Sequence, residues 1–446
     1  MAAHRSNQKR LGIWINGEHV ARWTVSSAGE SRLQYEDSWL SSADAHPLSL
    51  SLPLQLASQR HRGQVVETYF ENLLPDDPLQ RKQLAQHYGV QTVHAFDLLE
   101  QIGRDCVGAV QLLPDGHQAS DVSCIEGTSL SEAQVATLLR GLRTRTVSSI
   151  TLNNHQNDLR IAISGAQDKT ALLWHEGQWL LPHGATPTTH ILKPPLGHIG
   201  MDRRLDMTTS VENEWLCLRI LAAFGLEVPR AAMLQFEDQK VFVIERFDRQ
   251  LHPSGQWWMR LPQEDFCQVT GTPSHLKYES EGGPGLHTIG TWLQGSSRRD
   301  KDLATLLKTQ VLFWMLAATD GHAKNFSIRL LPGAAYHLTP LYDVLSAWPV
   351  IGKTASKIAQ QKVKLAMALK GKNRHYDRAY IRREHFEKFG NWLGLFSTTS
   401  ALIDDIIERT PAVIETVRQE LPAEFPDQIF TSICENMALA ARQLDR

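Results

Sequence analysis

The chain has little cysteine and spaces it poorly for either of the usual purposes. Cys106, Cys124, Cys217, Cys267 and Cys434 are odd in number, scattered and never arranged as Cys-x-x-Cys. That argues against a disulfide framework and against a zinc site, and fits a reducing cytoplasm. No long apolar run is present either: the longest, Val311 to Ala318, falls far short of the ~18 residues a membrane span needs, so no membrane partner is expected. The N-terminal MAAHRSNQKR is basic but lacks a following apolar core and small-residue cleavage site, so no secretory signal is expected. Charge of one sign is not in excess. With 46 basic and 48 acidic residues, no global field draws nucleic acid, and any such contact must come from a local patch. Internal repeats and low-complexity tracts are absent as well.

What is there is an ordinary globular composition, 42% hydrophobic over 446 residues, enough for about two to three domains. The texture changes at TVSSITLNNHQND, residues 145 to 158, polar and turn-rich between patterned regions, which predicts a domain boundary. Before it, LGIWINGEHVARW predicts two strands around an Asn-Gly turn, and Tyr69 to Tyr88 helical pieces broken by Pro75 and Pro78. After it, RIAISGAQDKTALLW predicts strand, turn and strand, THILKPP a strand, Val211 to Phe224 a helix capped by Gly225, and AAMLQF and KVFVIERF two more strands. The order predicts a small antiparallel sheet with one helix on it. From Asp302 onward helices dominate, with a hairpin of FSIRL and AAYHLTP, and Thr410 and Pro411 predict the N-cap and first position of a late helix.

Phosphoryl transfer needs a carboxylate near the acceptor hydroxyl, oxygen ligands for magnesium and a cation against the phosphates. Asp320 and Asn325 stand as D-x-x-x-x-N, the separation of base and metal-ligating Asn in kinase catalytic loops, and Asp343 follows the predicted hairpin where a magnesium-binding Asp belongs. The plainer alternative makes them a helix-terminal cap and a turn residue. Lys193 sits among apolar residues on a predicted strand and Glu214 on the helix after it, the arrangement of the kinase lysine–glutamate pair, although a lone strand-edge lysine also serves solubility. Ser164, Gly165, Ala166, Gln167, Asp168 and Lys169 form a small-residue turn whose amides could cap phosphates, but the turn is neither G-x-G-x-x-G nor Walker A. Glu245, Arg246 and Phe247 close an apolar strand where adenine could meet backbone groups, or where a strand merely ends. His322 lacks a second ligand at metal spacing and reads as loop-shaping. Lys370, Lys372, Arg374 and Arg378 form a basic cluster that could touch phosphate backbone or simply be solvated.

With these residues in view, the chain resembles the HipA family of toxin–antitoxin kinases nearly end to end. The resemblance is carried by PLSLSLPL (47–54), ENLLPDDP (71–78), FDLLEQIGRDCVGAV (96–110), GAQDKTALL (165–173), TPTTHILK (186–193), ERFDR (245–249), RLPQEDFCQ (260–268), KYESEGGPG (277–285), ATDGHAKNFS (318–327) and LTPLYD (338–343). It implies an α+β, two-lobed protein-kinase-like (PI3/4-kinase-like) fold: an N-terminal subdomain over 1–145, N-lobe elements over 158–255 and an all-α C-terminal lobe over 256–446. It implies ATP and magnesium as cofactors, Asp320 as general base, Asn325 and Asp343 as magnesium ligands and Lys193 as nucleotide lysine. Ser164 to Lys169 would line the phosphate loop, Glu245 to Phe247 contact adenine, and His322, Ala323, Lys324, Asn325 and Tyr342 lie along the nucleotide. The implied partners are a small helix-turn-helix antitoxin, operator DNA near Lys370, Lys372 and Arg374, and an aminoacyl-tRNA synthetase substrate, chiefly glutamate-tRNA ligase, whose phosphorylation stalls translation and yields dormant, drug-tolerant cells. One departure stands out. Where the family carries an autophosphorylated serine this chain has Ala162, which leaves three alternatives: self-phosphorylation at Ser164, the favoured candidate, at another serine such as Ser148 or Ser149, or none at all. A small-molecule phosphotransferase and a non-catalytic antitoxin-binding corepressor are the alternative readings.

Overall fold

The computed structural model describes residues 8–116, 121–144, 161–165, 167–200 and 205–445; the expected boundary at 145–158, with Ser148 and Ser149, and Ala166 lie outside the described residues. The first unit is a five-stranded antiparallel sheet in the order His61–Arg62, Ser31–Tyr35, Glu18–Val25, Lys9–Ile15, Val110–Pro114. Its first hairpin turns on Asn16 and Gly17, both at positive φ (48° and 89°), the conformation that two-residue hairpin turns demand and Asn-Gly supplies. Trp23 on this sheet stacks on Phe70, centroids 3.8 Å apart, from the helix Gln64–Glu71. Pro78 opens the helix Pro78–His87 behind an Asp77 cap, the first-turn place where its missing N–H costs nothing.

The second unit is a six-stranded antiparallel sheet ordered Ala231–Phe236, Gln239–Glu245, His190–Lys193, Thr170–His175, Gln178–Pro182, Gly127–Ser129. Two expectations need correction here. Ile161–Ala162 does not pair with Thr170–His175, which already has a neighbour on each side; it pairs in parallel with Asp105–Cys106 of the first unit. Residues 127–144, assigned by the sequence to the N-terminal subdomain, belong to this second sheet instead. Gly127–Ser129 is its edge strand, and Leu130, Val135, Leu138 and Leu139 share a core with Leu172, Leu192 and Val243. The helix Ser210–Ala223 contacts the Ala231–Phe236 and Gln239–Glu245 strands and, beyond them, the C-terminal helices. It is therefore buried nearly all round, Glu212 to Glu214 included.

The C-terminal region gathers helices around Arg299–Leu316, whose Leu303, Leu307, Val311 and Trp314 lie in the largest core. The region is not wholly helical. Gln263–Asp265, Ser327–Leu330 and Tyr336–Leu338 form a three-stranded sheet that carries the chain past the candidate loop, and Lys364–Lys370 pairs with Arg374–Asp377. Thr410 and Pro411 do not start a helix but lie inside Ser397–Gln419. The buried row Ile403, Ile406, Thr410, Val413 and Val417 runs through them, so packing holds a helix that local signals would begin afresh. Among the described residues no helix is long and apolar enough to cross a membrane.

Candidate functional site

The helix Arg299–Leu316 stops at Ala317 in the left-handed region, φ 48°, and the loop that follows folds tightly on itself. A Cβ on Gly321 would lie 2.4 Å from the Phe313 ring, so only glycine lets the backbone pass there. The Asp320 carbonyl accepts from the His322 N–H at 2.8 Å and from Asn325 Nδ2 at 2.8 Å. These bonds leave the Asp320 side chain exposed and Asn325 Oδ1 without a hydrogen bond among the described residues. The Tyr342 hydroxyl donates to the Lys324 carbonyl at 2.8 Å and shares a 2.6 Å hydrogen bond with Ser327 Oγ, tying the loop to the segment that presents Asp343.

Asp343, at φ 59°, meets the second sheet there. Lys193 Nζ lies 2.8 Å from Asp343 Oδ1 and 2.7 Å from Glu214 Oε1. Lys193 and Glu214 are 6% and 2% exposed and Asp343 is half-buried, so this is a buried ion pair meeting a partly exposed carboxylate rather than a solvated edge lysine. Burial would lower the Lys193 ammonium, but Asp343 and Glu214 outweigh it and hold it well above its ordinary value. For Asp343, burial is likewise outweighed by Lys193 and Lys169, and the carboxyl is held well below the usual range. Glu214 goes the other way: burial, only partly offset by Lys193, pushes it up to about 7.

Ser164, Gly165 and Gln167 to Lys169 approach the same place. Lys169 Nζ donates to the Ser164 carbonyl at 2.7 Å, and desolvation brings its ammonium down to about 8 against the pull of Asp343. Gly165, at φ 107°, accepts from the Asp76 N–H at 3.2 Å, Gln167 reaches the Pro194 carbonyl, and Asp168 accepts from Gln80 at 2.8 Å. The turn is thus bound to the N-terminal unit.

Other expected contacts point elsewhere. The Arg246 side chain turns inward, joining Asp248 at 2.9 Å and Asp105 at 3.3 Å in a cluster with Arg249 and Arg260, while its backbone N–H donates to the Thr189 carbonyl at 2.8 Å and its carbonyl accepts from the Arg249 N–H at 3.1 Å. Glu245 and Phe247 are half-buried, and the Phe247 ring lies 5.6 Å from that of Tyr342. The Lys324 ammonium also turns away, to Asn72 Oδ1 at 2.8 Å and Asp265 at 3.0 Å, because a buried lysine needs carboxylate or amide partners. Arg378 leaves the basic cluster altogether. Its guanidinium is sandwiched between Trp314 and Trp348, 4.5 and 4.4 Å from the ring centroids, whereas Lys370, Lys372 and Arg374 stay exposed on one hairpin. Sequence reasoning missed Tyr278, whose hydroxyl donates to Asp320 Oδ1. Its only local signal is its place in KYESEGGPG.

Asn325 Oδ1 and Asp343 Oδ2 are hard oxygen donors with no hydrogen-bond partner among the described residues. A divalent cation that also takes phosphate oxygens fits such a pair; among the described residues no group of three or more His, Cys, Asp or Glu is placed to hold a metal ion by itself.

Two family models match the chain: the HipA N-terminal domain over residues 11–113 and the HipA-like C-terminal domain over residues 161–417. The chain is similar to putative kinase Y4mE of Sinorhizobium fredii, 34% identical over 362 residues, 80% of this chain and 82% of the relative. It is also similar to the serine/threonine-protein kinase toxin HipA of Shewanella oneidensis, 25% identical over 332 residues, 72% and 71% of the two chains. Among solved structures, the HipA, HipB and operator DNA complex of Shewanella oneidensis MR-1 contains a chain of the same fold, with TM-score 0.77 at 21% identity over 97% of this chain and 96% of that one.

Proposed function

Because the chain belongs to the HipA family, we propose that it is an ATP-dependent protein serine/threonine kinase acting as the toxin of a toxin–antitoxin pair. The observation that carries this reading is the meeting of Lys193 and Asp343 at 2.8 Å, a residue of the second sheet against one of the helical region, beside the Asp320–Asn325 loop. Kinases bring together a strand lysine held by a helix glutamate, a metal-binding Asp, and a base five residues before an Asn, each from a different element. Here Glu214 holds Lys193 for the phosphates, Asn325 Oδ1 and Asp343 take magnesium, and exposed Asp320 receives the proton of the acceptor hydroxyl. Magnesium, when bound, neutralises charge on the phosphates. Gly165 to Lys169 flank the phosphates, with Ser164 the self-phosphorylation candidate, while backbone groups of Glu245 to Phe247 meet the adenine, with Tyr342 and the His322–Asn325 loop along the nucleotide.

The family resemblance supports an aminoacyl-tRNA synthetase, first of all glutamate-tRNA ligase, as the cytoplasmic substrate, with translation arrest and persistence as the outcome. The fold shared with a HipA–HipB–operator complex supports a helix-turn-helix antitoxin as partner and corepression on DNA, with Lys370, Lys372 and Arg374 towards the DNA.

The test is transfer of labelled phosphate from ATP and magnesium to purified glutamate-tRNA ligase by wild type and Asp320→Asn, with self-labelling mapped by mass spectrometry. Transfer lost in the variant is expected. Label only on small metabolites would make the chain a small-molecule phosphotransferase, and toxicity unchanged by Asp320→Asn would make it a non-catalytic corepressor.

A further inference from the structure

The Asp320 carboxylate has one hydrogen bond among the described residues, and it comes from Tyr278. Asn325 and His322 both hold the Asp320 main-chain oxygen instead, so nothing in the loop itself fixes where the carboxylate points. Tyr278 is in turn held on every side. Its ring meets His322 edge to face, centroids 5.0 Å apart at 80°. Before it, the Lys277 ammonium pairs with Asp76 of the N-terminal unit at 2.9 Å, and the Lys277 carbonyl accepts from Ala323 of the loop at 3.4 Å. After it, Glu279 accepts from the Ala368 N–H at 2.7 Å. The chain then doubles back so closely that Gly283 donates to the Tyr278 carbonyl, and a Cβ on Gly283 would lie 2.0 Å from the Leu276 carbonyl oxygen. A half-exposed hydroxyl is thus fixed by contacts to three separate parts of the fold.

We infer that Tyr278 is a positioning residue for the acceptor side of the reaction: its phenol fixes Asp320 Oδ1 and leaves Oδ2 directed at the incoming hydroxyl. The inference rests on Asp320 being the base. A carboxylate has about four acceptor sites on two oxygens, so one donor orients it without filling it. The acceptor's proton then passes to Asp320 while its oxygen bonds the γ-phosphorus and the bond to ADP breaks. A base free to rotate would spend most of its time out of line, and a misplacement of about 1 Å costs on the order of a hundredfold in rate.

Tyr278→Phe keeps the ring and its contact with His322 and removes only the hydroxyl. In the full chain, magnesium-dependent ATP hydrolysis and self-labelling are measured together with the affinity for a fluorescent ATP analogue and the Tm. The expected result is a kcat lower by about tenfold to a hundredfold with nucleotide affinity and Tm unchanged. A kcat within about twofold of wild type, with Asp320→Asn inactive, overturns the role of Tyr278 alone. Equal losses in nucleotide affinity or Tm overturn it too, as the signature of a merely structural residue. Full activity in Asp320→Asn overturns the base, and with it this inference.

Discussion

Lys193 and Glu214 lie 2.7 Å apart, both almost wholly buried, with Asp343 completing the triad. Removing one member of such a pair leaves the other charge buried and alone, at a cost of about 3–5 kcal/mol. Lys193→Met should therefore lower the Tm as well as abolish phosphate transfer. Adding Glu214→Gln removes the buried carboxyl that has lost its cation, while Asp343 keeps its charge, and should recover part of the stability without recovering activity. Thermal melts and ATP turnover on the two variants separate the roles; a double variant as unstable as the single one would show that the stability lies in packing.

Glu264 gives the N-terminal unit a pH-dependent anchor. Its fully buried carboxyl receives Ser49 Oγ and the Leu50 N–H, the latter at 2.8 Å, and burial pushes it up to about 8. In the unfolded chain the same carboxyl ionises near its ordinary value. Between the two the folded state binds the extra proton, so stability falls as pH rises from about 4.5 to about 8, at most by about 1.4 kcal/mol per pH unit, and levels off above. Glu264→Gln should flatten that part of the denaturation-versus-pH curve. A slope unaltered by the variant would assign the dependence to another group.

The basic hairpin and Arg378 should separate cleanly. With its guanidinium between two indoles and Nε donating to the Trp314 carbonyl at 2.7 Å, Arg378→Ala should cost on the order of 2–4 kcal/mol. Exposed Lys372→Ala should leave the Tm nearly unchanged. If the hairpin meets DNA phosphates, Lys372→Ala lowers the slope of log affinity against log salt by about 1 for the antitoxin complex on its operator. An unchanged slope removes Lys372 from the DNA contact.

Features set by local preference are legible in the sequence. The strand bearing Lys193, the helix bearing Glu214 and the Asn16–Gly17 turn follow from periodicity and backbone preference within a few residues. What depends on distant partners was not legible. Tyr278 reaches Asp320 across 42 positions. The inward turn of Arg246 exists because Asp105 comes 141 residues earlier to receive it. Lys324 is drawn away from the candidate site by Asn72 across 252. The edge strand Gly127–Ser129 joins the second sheet through the exposed side of Gln178–Pro182, a pairing that no short window of sequence records.

Pro411 is the sharpest case of packing overruling a local signal. It is exposed, midway along Ser397–Gln419, with no N–H to offer the Ile407 carbonyl one turn back. Thr410 beside it spends its hydroxyl on the Ile406 carbonyl at 2.7 Å, as interior helical threonines do. The helix persists because Ile403, Ile406, Val413 and Val417 bury the same face on both sides of the proline. Pro411→Ala restores a backbone hydrogen bond and relieves the ring, against a smaller loss from greater freedom of the unfolded chain, for a net gain of about 1–2 kcal/mol. The substitution opens no cavity, since the side chain faces solvent. A calorimetric Tm higher by several degrees with unchanged phosphate transfer is the expected result. A lower Tm would mean that the fixed φ of a proline at this position helps to lay both halves of the helix's apolar face on the core.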